Sequence, residues 1–219
     1  MNKPVIIIGC GGHASVLTDI LKLQNRSILG YIDDNPLVRS SPRHIIGDNQ
    51  KILEYHQDEI HLVNGIGSVG NTKKREYMFR KFKKLGYTFE NIIHPSAIIA
   101  TNVVLEEGVQ IMAGVVIQPG VVIGANSIVN TKASVDHDCI IGEHVHLAPG
   151  VTLSGNVHVE KRCHVGTGAT VIQGIHIGEA ALVGAGALVN KDVKKGVKVL
   201  GVPAREVGTA IRYQEESHD

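Results

Sequence analysis

From Ile93 onward, every sixth residue is a branched aliphatic. The series runs Ile93, Ile99, Leu105, Ile111, Ile117, Ile123, Val129, Val135, Ile141, Leu147, Leu153, Val159, Val165, Val171, Ile177, Val183 and Val189, seventeen positions without a break. Four residues after each of them the side chain is nearly always small, as at Ala97, Val103, Val109, Ala133, Cys139 and Ala187. A period of six is neither the 3.6 of a helix nor the 2 of an isolated strand; it marks a repeat. One large inward aliphatic and one small residue near a bend define a flat face. Three such faces close a coil of about 18 residues, and successive coils pair as parallel strands about 4.8 Å apart. The sixteen hexads of residues 93–188 predict a little over five coils. Gly108, Gly114, Gly120, Gly150, Gly168 and Gly174 recur where bends need positive φ or close approach.

The first 90 residues follow a different pattern. Val5–Ile8 reads as a buried strand, Gly9-Cys10-Gly11-Gly12-His13-Ala14 as a glycine loop, and the stretch to about Leu23 as an amphipathic helix. This is G-x-G-x-x-G/A in its strand-to-helix setting, where backbone N–H groups and a helix start can cradle phosphate. A second strand, Ile28–Ile32, ends at Asp33-Asp34, suited to a ribose or base. A third run, His61–Ile66, ends in Gly65-Ile66-Gly67, and a helix is predicted from about Thr72 to Leu85, closed by Gly86. A dinucleotide domain needs two halves over about 150 residues; about 90 precede the repeat, a half-size unit that suits a nucleotide sugar better than NAD. The expected organisation is a Rossmann-like α/β half domain (1–91), an all-β parallel β-helix (92–204) and a polar tail (205–219) with one short helix and a disordered end.

Composition narrows the class. Lys+Arg 22 against Asp+Glu 21 gives a net charge of +1, with no pull toward nucleic acid or an anionic membrane. No apolar run approaches the roughly 18 residues of a bilayer span, and the N-terminus reads as a strand, not a signal peptide. Three scattered cysteines do not make a disulfide framework, so a cytoplasmic setting is expected. With 25 Gly, three Phe and no Trp, the core must come from small aliphatics.

The GCGGHA loop, Asp33-Asp34, His94-Pro95-Ser96-Ala97 and Val135-Asp136-His137-Asp138, set on the hexapeptide repeat, resemble the PglD/NeuD-like sugar O/N-acetyltransferases, from residue 5 to about 206. The resemblance implies a left-handed parallel β-helix, a homotrimer with active sites between subunits, acetyl-CoA as donor and a nucleotide-linked amino sugar as acceptor. The acceptor it favours is a UDP-linked 4-amino-4,6-dideoxy sugar; a GDP-perosamine N-acetyltransferase or sialic acid O-acetyltransferase is the alternative. It implies His137 as general base with Asp138 as its partner. Gly11, Gly12, His13, Asp33, Asp34, Gly67 and Asn130 are implied at the acceptor, and His146, Thr167 and Ala185 at acetyl-CoA. Gly201-Val202-Pro203-Ala204-Arg205 resembles the family's closing segment, with Val202 in place of the usual Asn.

The residues give independent reasons for parts of this. Acyl transfer to an amine needs a group that takes a proton near neutrality, which is histidine's range, and His137 stands two residues after an inward aliphatic, on the outside. His13 opens the first helix, where a phosphate oxygen is a candidate partner, and Arg75 is either a further phosphate contact or a solvated helix residue. His146 and His164, like His158 and His176, are 18 residues apart and fall in one column. Such columns can hold a metal, as in a metal-dependent hydratase on the same fold; no third ligand is evident, so no metal is expected. A non-catalytic nucleotide-sensing scaffold is a further class. Cys139 and Cys163 occupy the small inward position and read as inert, which favours direct transfer over an acetyl-cysteine intermediate.

Overall fold

The computed structural model describes residues 3–35, 44–68 and 72–210. Its first part is a four-stranded parallel sheet of β1 (Val5–Ile8), β2 (Ile28–Ile32), β3 (Ile45–Gly47) and β4 (His61–Asn64), in the order β3-β2-β1-β4. The central strand β1 is buried on both sides, which is why it reads as an unbroken apolar run instead of an alternation. Val5 and Ile7 pack on α1 (Gly12–Leu23) through Ala14, Leu17, Ile20 and Leu21. Ile6 and Ile8 join the opposite cluster with Met78, Phe79 and Phe82 of α2 (Lys73–Lys84). The short β3 was not foreseen: three half-buried residues carry too weak a periodic signal.

The repeat forms seventeen two-residue strands among the described residues, β5 (Ile92–Ile93) to β21 (Leu188–Val189), every third one paired in parallel. The three sheets are the faces of a triangular prism. Face one presents Gln110, Ile128, His146, His164 and Leu182 outward. Face two presents Ile98, Val116, Ser134, Thr152, Thr170 and Leu188, and face three Val104, Val122, Ile140, His158 and His176. The second residue of each pair points inward, and the stacked aliphatics from Ile111 to Val189 form one continuous core with the small residues at the bends. Leu147 is fully buried in it. Leu147→Ala is expected to cost about 2–5 kcal/mol, read as a lower urea midpoint; an unchanged midpoint would mean that the interior is not close-packed.

The bends around residues 108 to 186 each place one residue in the left-handed region. From residue 108 to 186 every sixth residue has positive φ, seven of them glycines and seven not: Asn126, Lys132, Asp138, His144, Asn156, Arg162 and Ala180. Corner geometry is thus imposed by the stacked ladders even where the residue itself disfavours it.

After the coils, β22 (Val197–Leu200) extends face one and pairs antiparallel with β23 (Arg205–Thr209). The tail thus opens on a strand, and the short helix and disordered end expected of it fall on residues outside the described part. The strand's backbone finds ladder partners on the open edge of face one, and a local propensity reading does not see them. Residues 211–219 lie outside the described part.

Candidate active site

The sheet and helices of the first 90 residues cover face one. Gln24 donates to the Ile93 carbonyl (2.7 Å). Lys83 pairs with Glu107 (2.7 Å), and Ile92, Met112 and Ile128 join the core around β1 and α1. Glu76 of α2 receives both Nε (2.8 Å) and Nη2 (2.8 Å) of Arg162, with Arg80 as a further partner. These hydrogen bonds hold the Glu76 carboxyl below its ordinary pKa although burial pushes the other way. Arg75 is neither a phosphate contact nor solvated. It is buried and donates to the carbonyls of Asn64 (2.8 Å), Ile66 (2.8 Å) and Asn126 (3.1 Å), tying β4 to a bend of the prism.

Where the two parts meet lies a cleft of about 560 Å³ bordered by Gly11, Gly12, His13, Asp33, Gly67, Ser68, Asn130 and His146 among others. Residues far apart in sequence converge here, six of them expected at the acceptor and one, His146, at acetyl-CoA. The start of α1 has no side-chain cap and no acidic residue in its first turn, so its N–H groups suit an anion. Asp33 accepts the Cys10 N–H (3.1 Å) and stays on the cleft wall. Asp34 turns away and accepts the Asn49 backbone N–H (3.0 Å). A larger cleft, about 990 Å³, lies beside α2 against Glu143 and His144 and contains none of the residues expected at either substrate.

His13 and His146 are neutral histidines. Burial, aided by the Arg75 charge, lowers His13 to about 4, against a hydrogen bond to Gln110 that works upward. Burial and then His164 lower His146 to about 3. Asn130 fixes the ring state of His146: its amide oxygen accepts the Thr131 N–H (2.8 Å), so its Nδ2 donates to His146 Nε2 (3.1 Å), and His146 Nδ1–H donates to the Ser68 carbonyl (2.9 Å). Both nitrogens of His146 are thereby engaged. Its ring packs edge-on to His164 at 5.0 Å, and His158 on His176 at 5.2 Å, in the one-coil register expected of the columns. No group of three His, Cys, Asp or Glu side chains disposed to hold a metal occurs among the described residues.

Thr167 and Ala185 are exposed on the bend that follows face one, in the column Thr131, Pro149, Thr167, Ala185. Bonds from Gly150 to Thr131 (2.9 Å), Gly168 to Pro149 (2.9 Å) and Gly186 to Thr167 (2.8 Å) link these coils. Asn130, which lines the cleft, adjoins Thr131 at the foot of this column.

His137 and Asp138 lie elsewhere, on the bend between faces two and three. That is the edge of the prism opposite the covered face. His137 is exposed and its Nδ1 bonds Asp138 Oδ2 at 2.9 Å. Nδ1–H is the donor to the carboxylate, which leaves Nε2 as the basic nitrogen. This hydrogen bond, ahead of the Asp136 and Asp138 charges, raises the ring above the ordinary histidine pKa. Two glycines one coil away make the room: a Cβ on Gly155 would stand 2.5 Å from His137 Nε2, and one on Gly120 2.5 Å from Asp138 Oδ1. The spacing of 18 was in the sequence, but only the stacked coils say which glycines face the pair. Cys139 and Cys163 are buried in the prism, and burial pushes the Cys163 thiol up to about 12.

With this geometry in hand, comparisons with known proteins are informative. Residues 4–82 match the family model of the PglD N-terminal domain, and residues 102–135 and 120–155 match that of the bacterial transferase hexapeptide (six repeats). A mutant of perosamine N-acetyltransferase from Caulobacter crescentus, in complex with CoA and GDP-perosamine, is 36% identical over 95% of this chain and 98% of that one, with a TM-score of 0.88. The acetyltransferase domain of PglB from Neisseria gonorrhoeae, in complex with acetyl coenzyme A, is 30% identical over 94% of this chain and 100% of that one, also at 0.88. WeeI from Acinetobacter baumannii is 26% identical over 94% and 100%, at 0.86. No helix among the described residues is long and apolar enough to cross a membrane. The chain belongs to the PglD/NeuD-like family of hexapeptide-repeat, left-handed β-helix enzymes and is an acetyl-CoA-dependent sugar N-acetyltransferase.

Proposed function

We propose that this enzyme acetylates the 4-amino group of a UDP-linked 4-amino-4,6-dideoxy sugar by direct transfer, with His137 as general base. One observation carries the role of His137: its ring is exposed, with Asp138 holding Nδ1 and Gly155 leaving room at Nε2. Acetyl-CoA supplies a thioester carbonyl. In this reading the chain's own residues bind the diphosphate at the start of α1 and align the amine near Asn130. Thr167 and Ala185 flank the pantetheine along their column, and His137 Nε2 takes the proton the amine loses as the C–N bond forms; the C–S bond then breaks and that proton goes to the departing CoA thiolate, leaving the free thiol.

The reading requires a homotrimer with its sites between subunits. Within one chain His137 is on the edge opposite the face that the cleft adjoins, so the base at a given cleft belongs to a neighbour. Apolar outward residues flank that edge: Ile98 is 67% exposed and Val104 53%, on faces two and three respectively, with Ile140 at 47% on face three. Such a patch on two adjoining faces suits burial against copies of the same prism, and a cyclic arrangement lets each copy give His137 to one neighbour and a cleft to the other. A GDP-linked amino sugar is the second reading, favoured by the 36%-identical relative in complex with GDP-perosamine. The test is release of free CoA thiol from acetyl-CoA against a panel of UDP- and GDP-linked 4-amino sugars and a sialic acid. Turnover is expected with a UDP-4-amino sugar; turnover with the sialic acid alone would end the N-acetyl assignment.

A further inference from the structure

Gln110 interrupts the aliphatic outward positions at the start of face one, and it is buried to 1% exposure. Its side chain lies between two groups of known polarity. On one side Nε2 donates to the Asn64 carbonyl at 2.9 Å, an oxygen that also receives Arg75 Nη1 at 2.8 Å. A carbonyl only accepts, so the amide nitrogen must face it and the amide oxygen must face the other way. There Oε1 stands 2.8 Å from His13 Nε2. His13 therefore carries its hydrogen on Nε2, and because the ring is neutral its Nδ1 presents a lone pair. That nitrogen has no protein partner among the described residues, and His13 borders the cleft.

We propose that Gln110 is a positioning residue: it sets His13 as a hydrogen-bond acceptor toward the sugar, so that the pair selects an N–H or O–H of the sugar and not the diphosphate. This rests on the nucleotide-sugar reading above. A lone pair on Nδ1 argues against the phosphate contact expected of His13, since an ionised diphosphate offers only acceptor oxygens. The position favours sugar over base. His13 reaches across to face one, where it meets Gln110 at 2.8 Å, whereas Asp33 and the Gly9–Cys10 turn line the cleft on the side of the first sheet. The sugar amine must lie at the coil end, where the corner column of Thr167 and Ala185 begins.

The test compares His13→Ala and Gln110→Met with the wild type, using the nucleotide amino sugar that supports turnover, its free nucleoside diphosphate as competitive inhibitor, and acetyl-CoA. Loss of one neutral hydrogen bond is expected to raise KM for the nucleotide sugar about tenfold in both variants. The inhibition constant of the nucleoside diphosphate and KM for acetyl-CoA should stay within about twofold, which a general loosening of the fold would not allow. Equal weakening of the nucleoside diphosphate would overturn the assignment in favour of a phosphate or base contact, and no change in any constant would remove His13 from the site. Should Gln110→Met fail to fold, Gln110→Asn, which keeps the amide but is too short to bridge Asn64 and His13, takes its place with the same expected results. A wild type that turns over none of the sugars overturns the functional reading itself, an outcome distinct from equal weakening.

Discussion

His137→Ala is expected to lower kcat by about two to four orders of magnitude, the usual contribution of a positioned general base, with KM for acetyl-CoA little changed. The expectation follows from where the nitrogens point. Nδ1 is committed to Asp138 (2.9 Å) and Nε2 is exposed beneath Gly155, so the variant removes the proton acceptor and little else. The same pair sets the pH dependence. Only the neutral ring takes a proton, and the Asp138 hydrogen bond raises its pKa above the ordinary value of 6.5. Activity should therefore fall on the acid side at a pH above that value. In Asp138→Asn, which loses the carboxylate, the acid limb should move to lower pH while the plateau rate drops, because a less basic nitrogen is a weaker proton acceptor. An unchanged limb in the Asn variant, or an alanine variant within a fewfold of wild type, would remove His137 from the chemistry.

The second large effect is recovery, not loss. An enzyme carrying His137→Ala and a separate one carrying His13→Ala with Asn130→Ala are each expected to have little activity when the nucleotide sugar is held well below its wild-type KM. Dissociated and reassembled together at equal amounts, they should regain about a quarter of the wild-type site count, since in a random cyclic assembly each interface needs one subunit of each kind in a fixed order. The physical basis is the prism. The cleft adjoins face one and His137 stands on the opposite edge of the same chain, so with His137 as the base, as proposed, an intact site would draw on two chains. Failure of the mixture to exceed the parents, with assembly verified by sedimentation, would mean that each chain builds its site alone.

Much of the fold was legible in the chain because the repeat imposes its own coordinates. The period of six assigned inward and outward positions from Ile93 to Val189. The interval of 18 stacked His146 on His164 and His158 on His176, as the register shows. A glycine loop between an apolar run and a helix was equally plain. Less legible were features whose meaning depends on a distant partner. Arg75 falls on the same side of α2 as Met78, Phe79 and Phe82, a helical spacing that argues for burial, yet the carbonyls it satisfies come from Asn64, Ile66 and Asn126. Asp33 and Asp34 are neighbours with one composition and separate fates, one on the cleft wall and one turned to Asn49. The strand Arg205–Thr209 formed because an edge was open to it.

By itself, then, the sequence determined the prism and its core and set Asp138 beside His137, because all of these depend on residues one, six or eighteen apart. Only the tertiary structure decided that the first 90 residues lie on face one, that Gln110 and Asn130 set the hydrogen-bonding polarity of His13 and His146, and that His137 stands on the far edge. Hydrogen-bond direction and burial are properties of what approaches a side chain from elsewhere in the fold, and no periodicity along the chain encodes them.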